Sequence, residues 1–263
     1  MDTENILRCR VLIDYLIIEN DLIKYILPKG VPRNTFMIIS GAGGSGKTVL
    51  VNSIASSILA VNEPVVYVDF DDDPLTTIEQ FKSFNVDIDK YVKNNLFYII
   101  DGYTYLFKKE RRRLHESVVA EVDPKDIDNT IYTILKILDE KNIVKKGVVI
   151  IDSLNEFLNY HDPSRVLELV KILRANVSKL RSVVTIATLH TSTNYYAEFL
   201  NSIEHLVDGI LTTEVIVQHP LMGELPIPLR QVLVKKMKNT PHRISWTMYT
   251  IDSEGIKIVR IKT

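Results

Sequence analysis

Eight residues, Gly41-Ala42-Gly43-Gly44-Ser45-Gly46-Lys47-Thr48, follow the spacing G-x-x-x-x-G-K-T. Glycines let successive backbone N–H groups converge on one point, and a helix starting there adds its own unpaired N–H groups. Such a cradle takes phosphate oxygens. Lys47 would reach the outer phosphates of a nucleoside triphosphate, and the Thr48 hydroxyl would ligate Mg²⁺. Gly41, Gly43, Gly44, Ser45, Gly46, Lys47, Thr48 and Val49 are therefore the candidate nucleotide-binding residues. A second motif, Val148-Val149-Ile150-Ile151-Asp152-Ser153, ends an apolar run on an acidic residue. A carboxylate there holds Mg²⁺, directly or through water. Alone it reads equally as a capping Asp. Paired with the phosphate loop, Thr48 and Asp152 become the candidate metal residues, with ATP and Mg²⁺ as the expected ligands.

These residues need elements to position them. Thr35–Ser40, Val65–Asp69, Leu96–Asp101, Gly147–Asp152 and Val183–Leu189 are continuous apolar runs. Runs without alternation predict strands buried on both faces, as in a parallel sheet. Helical patterns lie between them. Lys47–Ala60 follows the glycine loop, Asp128–Lys141 aligns Ile131, Leu135 and Leu138, and Pro163–Leu180 aligns Val166, Leu169, Val170, Leu173 and Val177. Strand–helix alternation predicts an α/β fold with a mostly parallel central sheet flanked by helices. Gly209–Gln218, Gln231–Met237, Ser245–Ile251 and Gly255–Ile261 read as β, with a turn at Ser253–Gly255. They predict a C-terminal antiparallel extension. Residues 1–20 read as a short lead, with a docked helix as one form, and 21–263 as a single domain.

Composition narrows the setting. The 263 residues carry 32 Lys+Arg against 33 Asp+Glu, a net charge of -1, so any nucleic-acid binding must come from a local patch. One cysteine, Cys9, excludes an intramolecular disulfide framework and fits a reducing compartment. No apolar run approaches the ~20 residues of a membrane helix. The polar start Met-Asp-Thr-Glu-Asn does not resemble a signal peptide, so a cytoplasmic protein without membrane contact is expected.

Further segments carry a family resemblance. Ile26–Arg33 is similar to a worn glycine-rich lead into the first strand, and Tyr67-Val68-Asp69-Phe70-Asp71-Asp72-Asp73-Pro74 to a Y-V-x-F-E-E-x-P segment. Val234–His242 (VKKMKNTPH) is similar to V-x-K-M-R-G-[ST]-x-H. With the phosphate loop, these resemble the KaiC-type ATPases of the RecA superfamily, over about residues 20–263, and within them the archaeal RadA paralogs of the RadC type. The resemblance implies a RecA-like P-loop core. It implies that Asp71, with Asp72 beside it, orients the attacking water, where the family carries Glu. It implies that Lys236, Lys238 and His242 reach the nucleotide of a neighbouring subunit, with Lys238 standing where the family has Arg. Thr188 or His190 would contact the γ-phosphate or the water. Both departures predict slow hydrolysis, because a misplacement of about 1 Å can cost on the order of 100-fold in rate and Lys lacks the guanidinium fork. Asp71–Asp73 also reads as an acidic turn before the helix start at Pro74. A homo-oligomer, ring or filament, is implied, with nucleotide at the subunit interface.

Two segments bear on DNA. Tyr103–His115 holds Lys108, Lys109, Arg111, Arg112 and Arg113 against Glu110, interleaved with Tyr103, Tyr105 and Phe107. Basic plus aromatic suits single-stranded DNA, and a basic loop or subunit contact fits equally. Tyr195 and Tyr196 lie where RecA-like proteins place a DNA-binding loop. No Phe begins an F-x-x-A motif, which favours an accessory factor in recombination or repair, partnered with a RadA-type recombinase, over the recombinase itself. The alternative is a nucleotide-gated signalling or assembly module acting through protein partners.

Overall fold

The computed structural model describes residues 13–107, 115–216, 228–253 and 255–260. In chain order the elements are β1 (Tyr15–Leu16), α1 (Asp21–Ile26), β2 (Val31–Pro32), β3 (Phe36–Gly41), α2 (Lys47–Ala60), β4 (Val65–Asp69), α3 (Pro74–Ser83) and α4 (Ile88–Lys93). β5 (Phe97–Asp101), β6 (Val118–Glu121), α5 (Ile127–Glu140), β7 (Val148–Asp152), α6 (Asn155–Tyr160) and α7 (Pro163–Leu173) follow. β8 (Val184–His190), α8 (Asn194–Ile203), β9 (Gly209–Val215), β10 (Arg230–Met237), β11 (Thr247–Asp252) and β12 (Gly255–Ile258) come last among the described residues.

Ten strands form one sheet in the order β12-β11-β10-β9-β3-β8-β7-β4-β5-β6. From β9 to β6 every pairing is parallel, and β10, β11 and β12 add antiparallel strands on the β9 side. This is the α/β architecture the apolar runs predict, with antiparallel strands at the C-terminal side; Gly209–Val215, expected within that extension, instead joins the parallel core as β9 beside β3. The period-2 alternation shows why both faces need cover. Phe36 and Ile38 of β3, with Val66 and Val68 of β4, point into a core roofed by α5, α6, α7 and α8. Met37, Ile39, Val65 and Tyr67 point into the opposite core, under α1, α2, α3 and α4. Burying both sets makes these strands apolar throughout.

Helix starts follow local chemistry. Asp73 caps α3 ahead of Pro74, Asp126 caps α5, and Thr193 caps α8. The Pro163–Leu180 pattern is α-helical to Leu173 and continues as a wider π turn over Arg174–Leu180. Of the lead, residues 13–20 are described and hold no helix, while residues 1–12 lie outside the described residues. Tyr15–Leu16 forms β1 and pairs with β2, and Leu16 and Ile18 are buried. The helix begins only after Asn20, whose side chain accepts from Ile23 N–H at 3.0 Å.

Candidate functional site

The phosphate loop joins the C-terminal end of β3 to the first turn of α2, in the middle of the sheet. Gly46 is left-handed (φ 91°) and supplies no side-chain cap, so the first N–H groups of α2 stay open to a ligand. Gly44 is also left-handed (φ 75°). Gly41 is required for space: a Cβ there would stand 2.4 Å from the Thr213 carbonyl. Ser45 is buried, with its hydroxyl 2.8 Å from that of Thr213. Lys47 folds back over the loop and donates to the carbonyls of Gly41 (3.0 Å) and Ala42 (2.9 Å). Burial lowers the Lys47 pKa to about 8, against the pull of Asp152 and Asp71.

Three strand ends bring aspartates into register: Asp101 on β5, Asp69 on β4 and Asp152 on β7. Asp101 is taken up by the turn after β5, accepting from Tyr103 N–H and Thr104 N–H. Asp69 accepts from the Thr77 hydroxyl and from Asp72 N–H. Asp152 is separated from the loop strand only by β8. Its carboxylate accepts from the Thr188 hydroxyl and from the Tyr67 hydroxyl (3.0 Å). Burial raises its pKa, and the charge of Asp71 raises it further.

The Asp71–Asp73 run divides its work. Asp73 caps α3. Asp72 accepts from Gln80 of α3 at 2.8 Å, and Gln80 in turn accepts from Asn52 of α2. Asp71 faces inward, accepting from the Ser153 hydroxyl at 2.8 Å and from His190 Nε2 at 3.1 Å. The capping part thus falls to Asp73, while Asp71 faces Ser153 and His190. Thr188 faces Asp152 and His190 faces Asp71.

This donor set fits a magnesium nucleotide. An ammonium sits over a glycine loop at a helix start that carries no side-chain cap, with a buried carboxylate nearby. The Thr48 hydroxyl has no hydrogen-bond partner among the described residues. Thr48 and Asp152 would hold Mg²⁺, which neutralises phosphate charge when bound.

Lys236 and Lys238 lie elsewhere. The register pairs Met237 with Gly209, which is level with Met37, whereas Gly41 is level with Thr213. Lys236 stands about three residues and Lys238 about five residues from the loop along the strands, roughly 10 and 17 Å, toward the other end of the sheet. The Lys236 ammonium donates to the Glu204 carbonyl, and that of Lys238 lies 3.7 Å from Asp208. Asn239 is left-handed (φ 61°), as the glycine in the family pattern would be.

Sequence reasoning missed several neighbours. Arg230, at the start of β10, donates to the Gly44 carbonyl at 3.4 Å, and the Tyr249 hydroxyl donates to the Ser45 carbonyl at 3.2 Å. Ser192 accepts from Gly43 N–H at 3.0 Å. All depend on non-local register, which leaves no local signal. Lys108, Lys109, Arg111, Arg112 and Arg113 lie outside the described residues. Tyr195 and Tyr196 open α8, and their hydroxyls donate to Leu158 and Asn159 of α6. The next residue, Tyr160, has its hydroxyl 3.2 Å from that of Tyr105. Tyr105 and the tyrosine pair are therefore each bonded to α6.

A family model described as "ATPase: KaiC" matches residues 17–263. A UPF0273 protein of Methanocaldococcus jannaschii is 27% identical over 232 residues, spanning 88% of this chain and 90% of that protein. A UPF0273 protein of Thermotoga maritima is 26% identical over 233 residues, spanning 89% and 90%. The crystal structure of a KaiC-like protein from Pyrococcus horikoshii superposes with a TM-score of 0.71 at 18% identity, covering 94% of this chain and 100% of that one. That last likeness is one of fold.

Proposed function

The chain belongs to the KaiC family of ATPases, and from that premise we propose that it binds ATP·Mg²⁺ at residues 41–49 and hydrolyses it slowly. The observation that carries this is the convergence of Lys47, Asp152, Asp71 and His190 at neighbouring strand ends beside an open helix N-terminus. Backbone N–H groups of Gly43, Gly44, Ser45 and Gly46 and the Lys47 ammonium bind the phosphates. Asp71 orients a water in line with the γ-phosphate. The water oxygen bonds to phosphorus as the bond to the β-bridging oxygen breaks, and the proton lost from water passes through the carboxylate to solvent, leaving ADP and phosphate. Asp72, bound to α3, does not share this step. Lys236 and Lys238 serve the site of the next copy in a ring or filament, with residues 21–263 as the working domain.

The test is steady-state turnover of the full chain. Asp71→Ala is expected to lower kcat at least 100-fold while nucleotide still binds, in line with loss of a general base. Turnover unchanged in that variant overturns hydrolysis at this site.

Downstream of the nucleotide, the reading is single-stranded DNA binding by an accessory recombination or repair factor of the RadA-paralog kind. Its support is the docking of Tyr105, Tyr195 and Tyr196 on the one helix α6 together with the basic composition of residues 108–113. Fluorescence anisotropy with labelled single strands, at two salt concentrations and with or without ATP·Mg²⁺, decides it. Binding that weakens with salt and is lost when Arg111–Arg113 become Ala supports it. Absence of binding assigns the protein instead to nucleotide-gated signalling or assembly through protein partners.

A further inference from the structure

We infer that His190 is a positioning residue for hydrolysis, one that adapts the site to its short carboxylate by holding Asp71 in the water-orienting pose. This rests on the reading that Asp71 orients the water.

A carboxylate one methylene shorter than Glu ends roughly 1.5 Å, one C–C bond, further from its target. Its terminal torsion is also broad, so an unrestrained Asp samples many orientations. Here both oxygens are held. Oδ1 accepts from the Ser153 hydroxyl at 2.8 Å and Oδ2 from His190 Nε2 at 3.1 Å. Two donors on opposite oxygens fix the plane of the group.

The backbone that carries the imidazole is itself anchored. Asn155 of α6 clips the His190 backbone twice, accepting from its N–H at 2.7 Å and donating to its carbonyl at 3.1 Å. The next residue, Thr191, donates its N–H to the Gly41 carbonyl at 3.0 Å. The donor that holds Asp71 is therefore tied to the first residue of the phosphate loop. His190 is one-third exposed at a strand end whose preceding residues are buried, so its ring is turned to the site, not packed as core.

The experiment measures kcat and nucleotide affinity separately on the full chain, with a fluorescent ATP analogue for the latter. His190→Ala is expected to lower kcat about 30-fold with nucleotide affinity within about twofold, the range for a small misplacement of a reacting group. His190→Gln, which restores an N–H donor, recovers most of the rate. His190→Phe keeps a ring without the donor and stays slow, which also covers an alanine variant that fails to fold. Adding Asp71→Glu to His190→Ala restores turnover, because the longer carboxylate no longer needs the donor. Wild-type kcat in both His190→Ala and His190→Phe overturns the inference. So does a loss of nucleotide affinity as large as the loss of rate, since His190 would then be a phosphate contact. If Asp71→Ala turns over normally, the water-orienting reading fails first. If Asp71→Ala is inactive while the His190 variants are normal, only the inference fails.

Discussion

At the scale of single residues the site sets stability against binding. Lys47 is a buried charge in the glycine loop, and burial brings its pKa down to about 8 from 10.5. The folded chain then releases this proton near pH 8 and the unfolded chain near 10.5, so between those values the unfolded state binds more protons. Stability from this group therefore rises with pH across that window, and its penalty is fully present below pH 8. Lys47→Met removes the penalty. Urea titrations should show the variant at least as stable as wild type at pH 7, with that margin shrinking as pH rises from 8 to 10. Nucleotide binding needs the charged form. Wild-type ATP affinity should fall as pH rises past about 8, whereas Lys47→Met should bind about 10- to 100-fold more weakly at pH 7 and lack that pH dependence, the size of a lost charged hydrogen bond. Isothermal titration calorimetry at pH 7, 8 and 9 checks both. Equal affinity of the two proteins at pH 7 would mean that Lys47 does not touch phosphate.

The elements that hold this residue pair up at both ends of the sheet. At the end away from the loop, buried Asp208 precedes β9 and gathers three cations: Arg174 at 2.8 Å, Lys179 at 3.0 Å and Lys238 at 3.7 Å. It also accepts from Phe36 N–H at 3.1 Å, which pins the start of the loop strand. Burial would raise its pKa, but the Arg174 and Lys179 hydrogen bonds and Phe36 N–H bring it below the ordinary value. Its stabilisation is therefore present above the unfolded carboxylate pKa and is lost as pH falls through the lower folded value. Asp208→Ala should cost about 3 kcal/mol, the low end for breaking a buried pair because the cations are part exposed. Denaturant midpoints at pH 7 and pH 3 check this, and the difference between variant and wild type should narrow at the lower pH. Much of this scaffold was legible beforehand. Val65–Asp69 and Lys47–Ala60 stand where the sequence places them, because a strand buried on both faces and a helix following a glycine loop leave continuous signals. β1, β2 and β6 were not legible. Each is two to four residues long, too short for periodicity to register. The site divides likewise. The phosphate loop and Asp152 are local motifs, whereas Ser153, Arg230 and the choice of Asp71 over Asp72 depend on partners up to 186 residues away.

For the whole molecule, the separation of Lys236 and Lys238 from Gly41 along the strands means that one copy cannot bring both to the same phosphate. If the lysines act, they act on another copy, and a head-to-tail interface follows. That geometry makes complementation quantitative. Asp71→Ala subunits retain the lysines and Lys238→Ala subunits retain the carboxylate. Each alone should be inactive or nearly so. Mixed in equal amounts and allowed to exchange, they form an intact interface wherever a Lys238→Ala site meets an Asp71→Ala neighbour. Random assembly makes about a quarter of interfaces of that kind, so turnover should recover to about a quarter of wild type. The wild-type rate per copy should also rise with protein concentration until assembly is complete, since a lone copy lacks the donated charge. A mixture as inactive as its parts, together with a rate per copy that does not depend on concentration, would place all the working residues within one chain. Lys238 would then belong to the Asp208 clasp alone.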